Sequence, residues 1–226
     1  MIRASTARLA GSTILFYIAT SIAGTMLLQR ISHGEGIAAR LASIAAHRPQ
    51  MSLSFVLALL TVFEALILAV ALYALTRHDD ADVALFALTC RVVEGVLNAI
   101  PAIALLALGS ISLQAAAVSG PEVSATNTLG SFLLNLQGWT TIVSAPVFGV
   151  GSALFYYLFA RARSIPVSLA WFGVFSSVLL VVAIPMQGMH IIRGVLGFYV
   201  WLPSLLFELL FAPWLLIKGV ATRATK

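Results

Sequence analysis

Long apolar runs dominate this sequence and constrain its fold more than any other feature. Six runs are long enough to cross a bilayer, which takes about 20 mostly apolar residues. They cover roughly residues 9–29, 51–76, 83–112, 130–160, 165–187 and 195–217. Of the 226 residues, 61% are hydrophobic and 9% are charged, whereas about a quarter of a soluble domain is charged. The sequence therefore predicts an all-α, polytopic membrane bundle of six transmembrane helices, forming a single transmembrane domain over residues 1–226.

The charge and cysteine content exclude several classes of function. The net charge is +5, but the thirteen Lys and Arg residues are scattered between apolar runs. They form no basic patch of the kind that binds nucleic acid. Cys90 is the one cysteine, so no disulfide within the chain is expected and a metal–thiolate site lacks companions. We expect no cofactor, no metal and no nucleic-acid partner; the expected surroundings are the lipid bilayer.

The distribution of Lys and Arg predicts the orientation of the bundle, because cytoplasmic loops carry the excess of positive residues. Eight of these residues fall on one predicted side and four on the other, while Arg91 lies within a span. The richer side holds both termini. The sequence therefore places both termini in the cytoplasm and the protein in the cell inner (plasma) membrane.

Two connections are longer than simple turns. Between the first and second spans, Ile37, Leu41 and Ile44 follow helical spacing, which predicts a short interfacial helix in the first outer loop. Between the third and fourth spans, residues 110–128 are small and polar and include Gly120 and Pro121. This second segment is predicted to be an exposed loop.

Small and aromatic residues indicate how the spans pack. Ala145, Gly149 and Ala153 form a small-residue ridge on the fourth span, and such ridges let membrane helices approach closely. The Trp residues and several Tyr residues, Tyr156 included, mostly fall near span ends. That position is typical of the aromatic belt at the membrane interface.

Four ionisable residues lie inside apolar runs: Glu64, Arg91, Glu94 and Glu208. A charge at the centre of a bilayer costs at least about 2.5–3.5 kcal/mol, so these side chains are expected to face the interior of the bundle. At a rise of about 1.5 Å per residue, all four fall at similar depth in their spans. The sequence predicts that they meet in one buried layer.

Two amides extend this predicted layer. Glu94 and Asn98 follow Arg91 at spacings of three and seven residues, which places all three on one helical stripe. Gln137 adds an amide on the fourth span, nearer the outside. The candidate ligand-binding residues are therefore Glu64, Arg91, Glu94, Asn98, Gln137 and Glu208.

The charge balance of the layer favours a particular class of ligand. One arginine faces three carboxylates, so full ionisation would leave two net negative charges in a low-dielectric site. We expect at least one of the three glutamates to be protonated at neutral pH unless a cation binds. The pattern favours binding or transport of a small cationic or amphipathic solute, with proton linkage as a further expectation.

Two other functions stay open. Buried Arg–Glu clusters also act as interhelical glue in structural or regulatory membrane proteins. A membrane-embedded enzyme acting on lipid is the third alternative, although no catalytic motif occurs and no catalytic residue is predicted. A homo-oligomer is also left open, because six spans are few for a monomeric transporter. His33, His47 and His190 fall in predicted outer connections and are interpreted as interfacial side chains.

Three short motifs give the sequence a resemblance. They are Arg8-Leu9-Ala10-Gly11, Arg91-Val92-Val93-Glu94, and Phe207-Glu208-Leu209-Leu210 with the following Trp214-Leu215-Leu216-Ile217-Lys218-Gly219. Over essentially its whole length the chain resembles the bacterial integral membrane family known as domain of unknown function 4386. The resemblance implies a multi-pass membrane protein with no established activity, and polar positions at Glu64, Arg91, Glu94 and Glu208. It departs at Gln137-Gly138, where members often have His-Gly, so a proton-shuttling role at that position is in doubt here.

Overall fold

The computed structural model describes residues 2–115 and 119–221, and within those ranges every regular element is an α-helix. The helices in chain order are α1 (Ile2–Ile31), α2 (Gly36–Ala46), α3 (Arg48–Thr76), α4 (Ala81–Leu97), α5 (Ala99–Ala115), α6 (Glu122–Ala162), α7 (Val167–Gly188), α8 (Val195–Tyr199) and α9 (Leu202–Ile217). The all-α prediction is confirmed for these residues.

Five segments of the described chain are long and apolar enough to cross a membrane. They are Arg3–Ile31, Arg48–Thr76, Ala81–Ala115, Glu122–Ala162 and Val167–Gly188, which correspond to the first five predicted spans. The sixth predicted span contains α9, which has 16 residues and is therefore only about 24 Å long. Since the hydrocarbon core is about 30 Å thick, α9 is short for a span, and the brief helix α8 precedes it.

The third predicted span is interrupted at Asn98, where α4 has ended and α5 has not begun. Proline at position 101 explains the position of the break. Pro101 has no N–H to donate to the carbonyl of Leu97, and its ring crowds that same carbonyl. The helix therefore ends four residues before the proline, and Asn98 occupies a turn.

The predicted loop over residues 110–128 is wrong for most of its length. Helix α5 continues to Ala115 and α6 begins at Glu122, while residues 116–118 lie outside the described residues. Polar side chains do not end these helices, because their hydroxyls bond to the helix itself. Thr128 Oγ1, for example, donates to the carbonyl of Ser124 at 2.9 Å, a bond that lets threonine remain inside a helix.

The chain divides into two compact units. Unit 1 comprises residues 1–17, 63–95 and 142–226. Its helices approach closely at three glycines: a Cβ on Gly11 would lie 2.7 Å from the Ala212 carbonyl oxygen, one on Gly149 would lie 2.8 Å from that of Ser177, and one on Gly151 would lie 2.9 Å from that of Ala87. These contacts pair α1 with α9, α6 with α7, and α6 with α4.

Unit 2 comprises residues 18–62 and 96–141, and its core is aliphatic. Ile31, Leu41, Ile44, Met51 and Leu108 are buried together. The short helix predicted between the first two spans is present as α2. Its apolar side packs against α5. Leu41 and Ile44 on that side are buried within the protein, since they are at most 1% exposed.

Removing one methylene group from the Ile44 side chain is expected to lower the free energy of unfolding, because Ile44 is buried in this core. Ile44→Val should cost about 0.5–1.5 kcal/mol, the usual range for a buried Ile-to-Val change. Ile22→Val is the matched control in unit 2, since Ile22 is 48% exposed, and it should be close to neutral. Denaturant titration in detergent micelles measures both. Equal effects of the two variants would show that α2 does not pack on the protein.

Candidate functional site

The centre of the site is an ion pair on α4. Arg91 Nη1 lies 3.3 Å from Glu94 Oε2, and the two side chains are 1% and 4% exposed. Residues three apart in a helix lie on the same face, so the spacing seen in the sequence brings the two groups together. Both charges belong to one helix, and this ion pair therefore does not itself join two helices.

Helix α6 supplies the surroundings of the Arg91 side chain. The guanidinium carbon lies 4.3 Å from the centroid of the Phe148 ring, a distance typical of a cation–π contact. One turn further on, a Cβ on Gly151 would lie 3.0 Å from Arg91 Cγ, so the glycine makes room for the aliphatic part of the arginine. Nε and Nη1 of Arg91 make no hydrogen bond among the described residues, and Nη1 has the ion-pair contact with Glu94 alone.

One further carboxylate, that of Glu208, interacts with this pair, and the carboxylate of Glu64 interacts with a neighbouring tyrosine. Glu208 on α9 is close enough to interact electrostatically with Arg91 and Glu94. Glu64 on α3 interacts electrostatically with Tyr17 on α1, and Tyr17 in turn interacts with Glu94, Arg91 and Glu208. Glu64 and Glu208 are half-buried. Glu64, Arg91, Glu94 and Glu208 therefore all lie in unit 1, on α3, α4 and α9.

Tyrosine side chains complete the site, and sequence reasoning missed both of them. Tyr156 on α6 is 5% exposed, interacts electrostatically with Glu208 and Arg91, and shares a hydrogen bond with the Ser152 hydroxyl. Its ring centroid lies 4.4 Å from that of Phe207 and 5.6 Å from that of Phe211. The prediction that Tyr156 belongs to an interfacial belt is wrong, because the ring is buried in an aromatic core.

We call Tyr17, Glu64, Arg91, Glu94, Tyr156 and Glu208 the Arg91 cluster. A signal for Tyr156 was present in the sequence. Ser152 and Tyr156 follow Gly149 by three and seven residues. Tyr156 therefore continues the helix face that carries the small-residue ridge. No comparable spacing marks Tyr17.

The two predicted amides lie in unit 2 and not with the Arg91 cluster in unit 1. Asn98 is half-buried at the break between α4 and α5, and Gln137 is exposed on α6. The break ends the helical stripe that the sequence predicted through Arg91, Glu94 and Asn98. Their part in ligand binding stays a prediction.

Two of the outer histidines meet in unit 2. The rings of His33 and His47 lie with centroids 6.2 Å apart, and each Nδ1 bonds a nearby carbonyl oxygen, that of Arg30 at 2.8 Å and that of Ser43 at 2.7 Å. Such bonds are common where histidine follows the end of a helix. Within the described residues, no group of three or more His, Cys, Asp or Glu side chains is arranged to hold a metal.

Five long apolar helical segments in the described residues define the chain as a multi-pass helical membrane protein. It belongs to the family described as Domain of unknown function (DUF4386), which matches residues 9–219. The family resemblance seen in the sequence is thereby confirmed. No curated protein and no solved structure matches the chain.

Proposed function

We propose that this protein binds or transports a small cationic or amphipathic solute through the Arg91 cluster. The observation that carries the proposal is the excess of carboxylates over arginine in a buried part of unit 1. Glu64, Glu94 and Glu208 accompany one arginine, and intramembrane ionisable residues commonly mark substrate or ion pathways. A cation bound there would offset the excess negative charge, and so would a proton, which is why we include proton linkage in the proposal.

The geometry of the ion pair favours binding over a purely structural role. The ion pair of the cluster at contact distance, Arg91 with Glu94, lies within one helix, and the attraction between Arg91 and Glu208 of α9 acts without an ion-pair contact observed between them among the described residues. The carboxylates of Glu64 and Glu208 come from other helices and are only half-buried. Such groups are more accessible to a solute than the Arg91–Glu94 pair.

We further propose that the chain forms six spans in a bacterial inner membrane, as one transmembrane domain. The sixth span would be made by α8 and α9 together, over residues 195–217. An even number of spans puts both termini on the same side. The excess of Lys and Arg on that side supports a cytoplasmic location for them.

Native mass spectrometry of the detergent-purified protein tests the solute-binding proposal. We expect a bound small molecule on the wild type whose occupancy falls about tenfold in Glu208→Gln, since the amide removes one carboxylate from the cluster with little change of shape. A tenfold change corresponds to about 1.4 kcal/mol, a modest loss for a charged contact. Glu122→Gln is the matched control, because Glu122 is exposed and lies in unit 2.

Two outcomes of this experiment would contradict solute binding by the Arg91 cluster. A mass without any bound molecule in all three proteins, with Glu208→Gln merely less stable, would show that the cluster only holds helices together. Equal retention by the wild type and Glu208→Gln would place the bound molecule elsewhere.

A further inference from the structure

The guanidinium of Arg91 is incompletely satisfied. Its Nε and Nη1 are inaccessible to solvent and make no hydrogen bond within residues 2–115 and 119–221; Nη1 has its ion-pair contact with Glu94 Oε2 at 3.3 Å, whereas no contact with an acceptor is seen for Nε among these residues. An arginine carries five N–H donors and stays charged in proteins. Buried donors without an acceptor destabilise a structure, and the ring of Phe148 covers a face of the guanidinium without offering an acceptor atom. Arg91 Nε therefore needs an acceptor that the described residues do not supply.

We propose that the solute of the Arg91 cluster is zwitterionic; this inference rests on the proposed function and specifies its substrate class. The anionic group of the solute accepts a charge-assisted hydrogen bond from Arg91. Its cationic group faces the half-buried carboxylate of Glu208. Charge-assisted hydrogen bonds are among the strongest that proteins form with ligands.

A ligand with a single charge matches only part of the cluster. A solute with only an anionic group would add negative charge to a cluster that already holds three carboxylates. A solute with only a cationic group would leave Nε of Arg91 without an acceptor. A molecule with both charges supplies this acceptor and also places a positive charge beside a carboxylate.

Calorimetric titration of the purified full-length protein with glycine betaine and with choline tests this inference. Both probes carry the same trimethylammonium group, and only betaine carries a carboxylate. The two titrations use detergent micelles, millimolar probe and an ionic strength matched with sodium chloride. We expect betaine to bind at least about tenfold more tightly, the contribution of one hydrogen bond to a charged group.

Variants then locate the effect. Arg91→Gln should reduce the preference for betaine over choline. Glu208→Gln should lower the affinity of the protein for both probes. The comparison of the two probes on the wild type needs no variant, so it holds even where Arg91→Gln fails to fold.

Betaine that binds no more tightly than choline, including the absence of binding by either probe, overturns the zwitterion inference. Water would then be the acceptor beside Arg91. The proposed function is judged separately, by the native mass of the wild type and Glu208→Gln. A bound mass that depends on Glu208 would keep that function standing while the zwitterion inference fails.

Discussion

Replacing Arg91 with glutamine is expected to lower the free energy of unfolding by about 3–5 kcal/mol, because breaking a buried ion pair leaves a charge without its partner. The Arg91 and Glu94 side chains are 1% and 4% exposed, so water cannot take over the lost interaction. Glu208 would also lose the positive charge with which it interacts. Denaturant titration in detergent micelles measures the loss.

Arg161→Gln is the matched control, because Arg161 forms a shorter ion pair in an exposed place. Its Nη1 lies 2.9 Å from Asp80 Oδ2, with side chains 51% and 28% exposed. Exposed ion pairs contribute about 0–1 kcal/mol, so Arg161→Gln should leave stability nearly unchanged. If distance decided the energy, the exposed pair would be the more important one. If Arg91→Gln and Arg161→Gln lowered the free energy of unfolding equally, burial would not be what makes the Arg91 ion pair important.

The double variant Arg91→Gln, Glu94→Gln should be less destabilised than the sum of the two single variants. Residues in contact give non-additive effects, and removing both partners of a buried pair is much less harmful than removing one. Additive losses would mean that the 3.3 Å contact between Arg91 and Glu94 contributes no coupling.

Helical spacing and the cost of buried charge were sufficient to predict much of the candidate site. Arg91 and Glu94 share a helix face, and Glu64 and Glu208 lie with them in unit 1. Tyr17 and Tyr156 could not be predicted in the same way. A tyrosine in an apolar run has an apolar ring and a polar end, so a lipid interface and a buried core suit it equally well. Only the packing of α6 against Phe207 decides the matter for Tyr156.

The fold shows a similar division. Apolar length predicted five spans that the structure contains as long helices, because a bilayer imposes one minimum length on every span. The break at Asn98 and the length of α6 depend on backbone hydrogen bonds instead. Pro101 removes one such bond, and residues such as Thr128 form bonds with their own helix, so apolar length alone gave neither the break at Asn98 nor the start of α6.

A methyl group added at Gly149 is expected to destabilise unit 1 by about 1–3 kcal/mol, the usual effect of overpacking. The Cβ would lie 2.7 Å from Val181 Cγ2 and 2.8 Å from the Ser177 carbonyl oxygen. The second of these is backbone of α7, so the helices themselves would have to separate. Ala145, on the same ridge, is buried against Leu180 and Ile184 of α7, as the spacing of small residues predicted. Thermal unfolding of Gly149→Ala in detergent measures the effect.

Gly138→Ala is the matched control on the same helix, because a Cβ at Gly138 would meet no atom within 4 Å. Alanine favours helix over glycine by up to about 1 kcal/mol, so this variant should be neutral or slightly stabilising. Of the two identical substitutions, only Gly149→Ala should therefore lower stability. Since Gly151 lies two residues beyond Gly149 and makes room for Arg91, separating α6 from α7 should also disturb the Arg91 cluster. Gly149→Ala that is as stable as Gly138→Ala would show that the small-residue ridge does not hold α6 against α7.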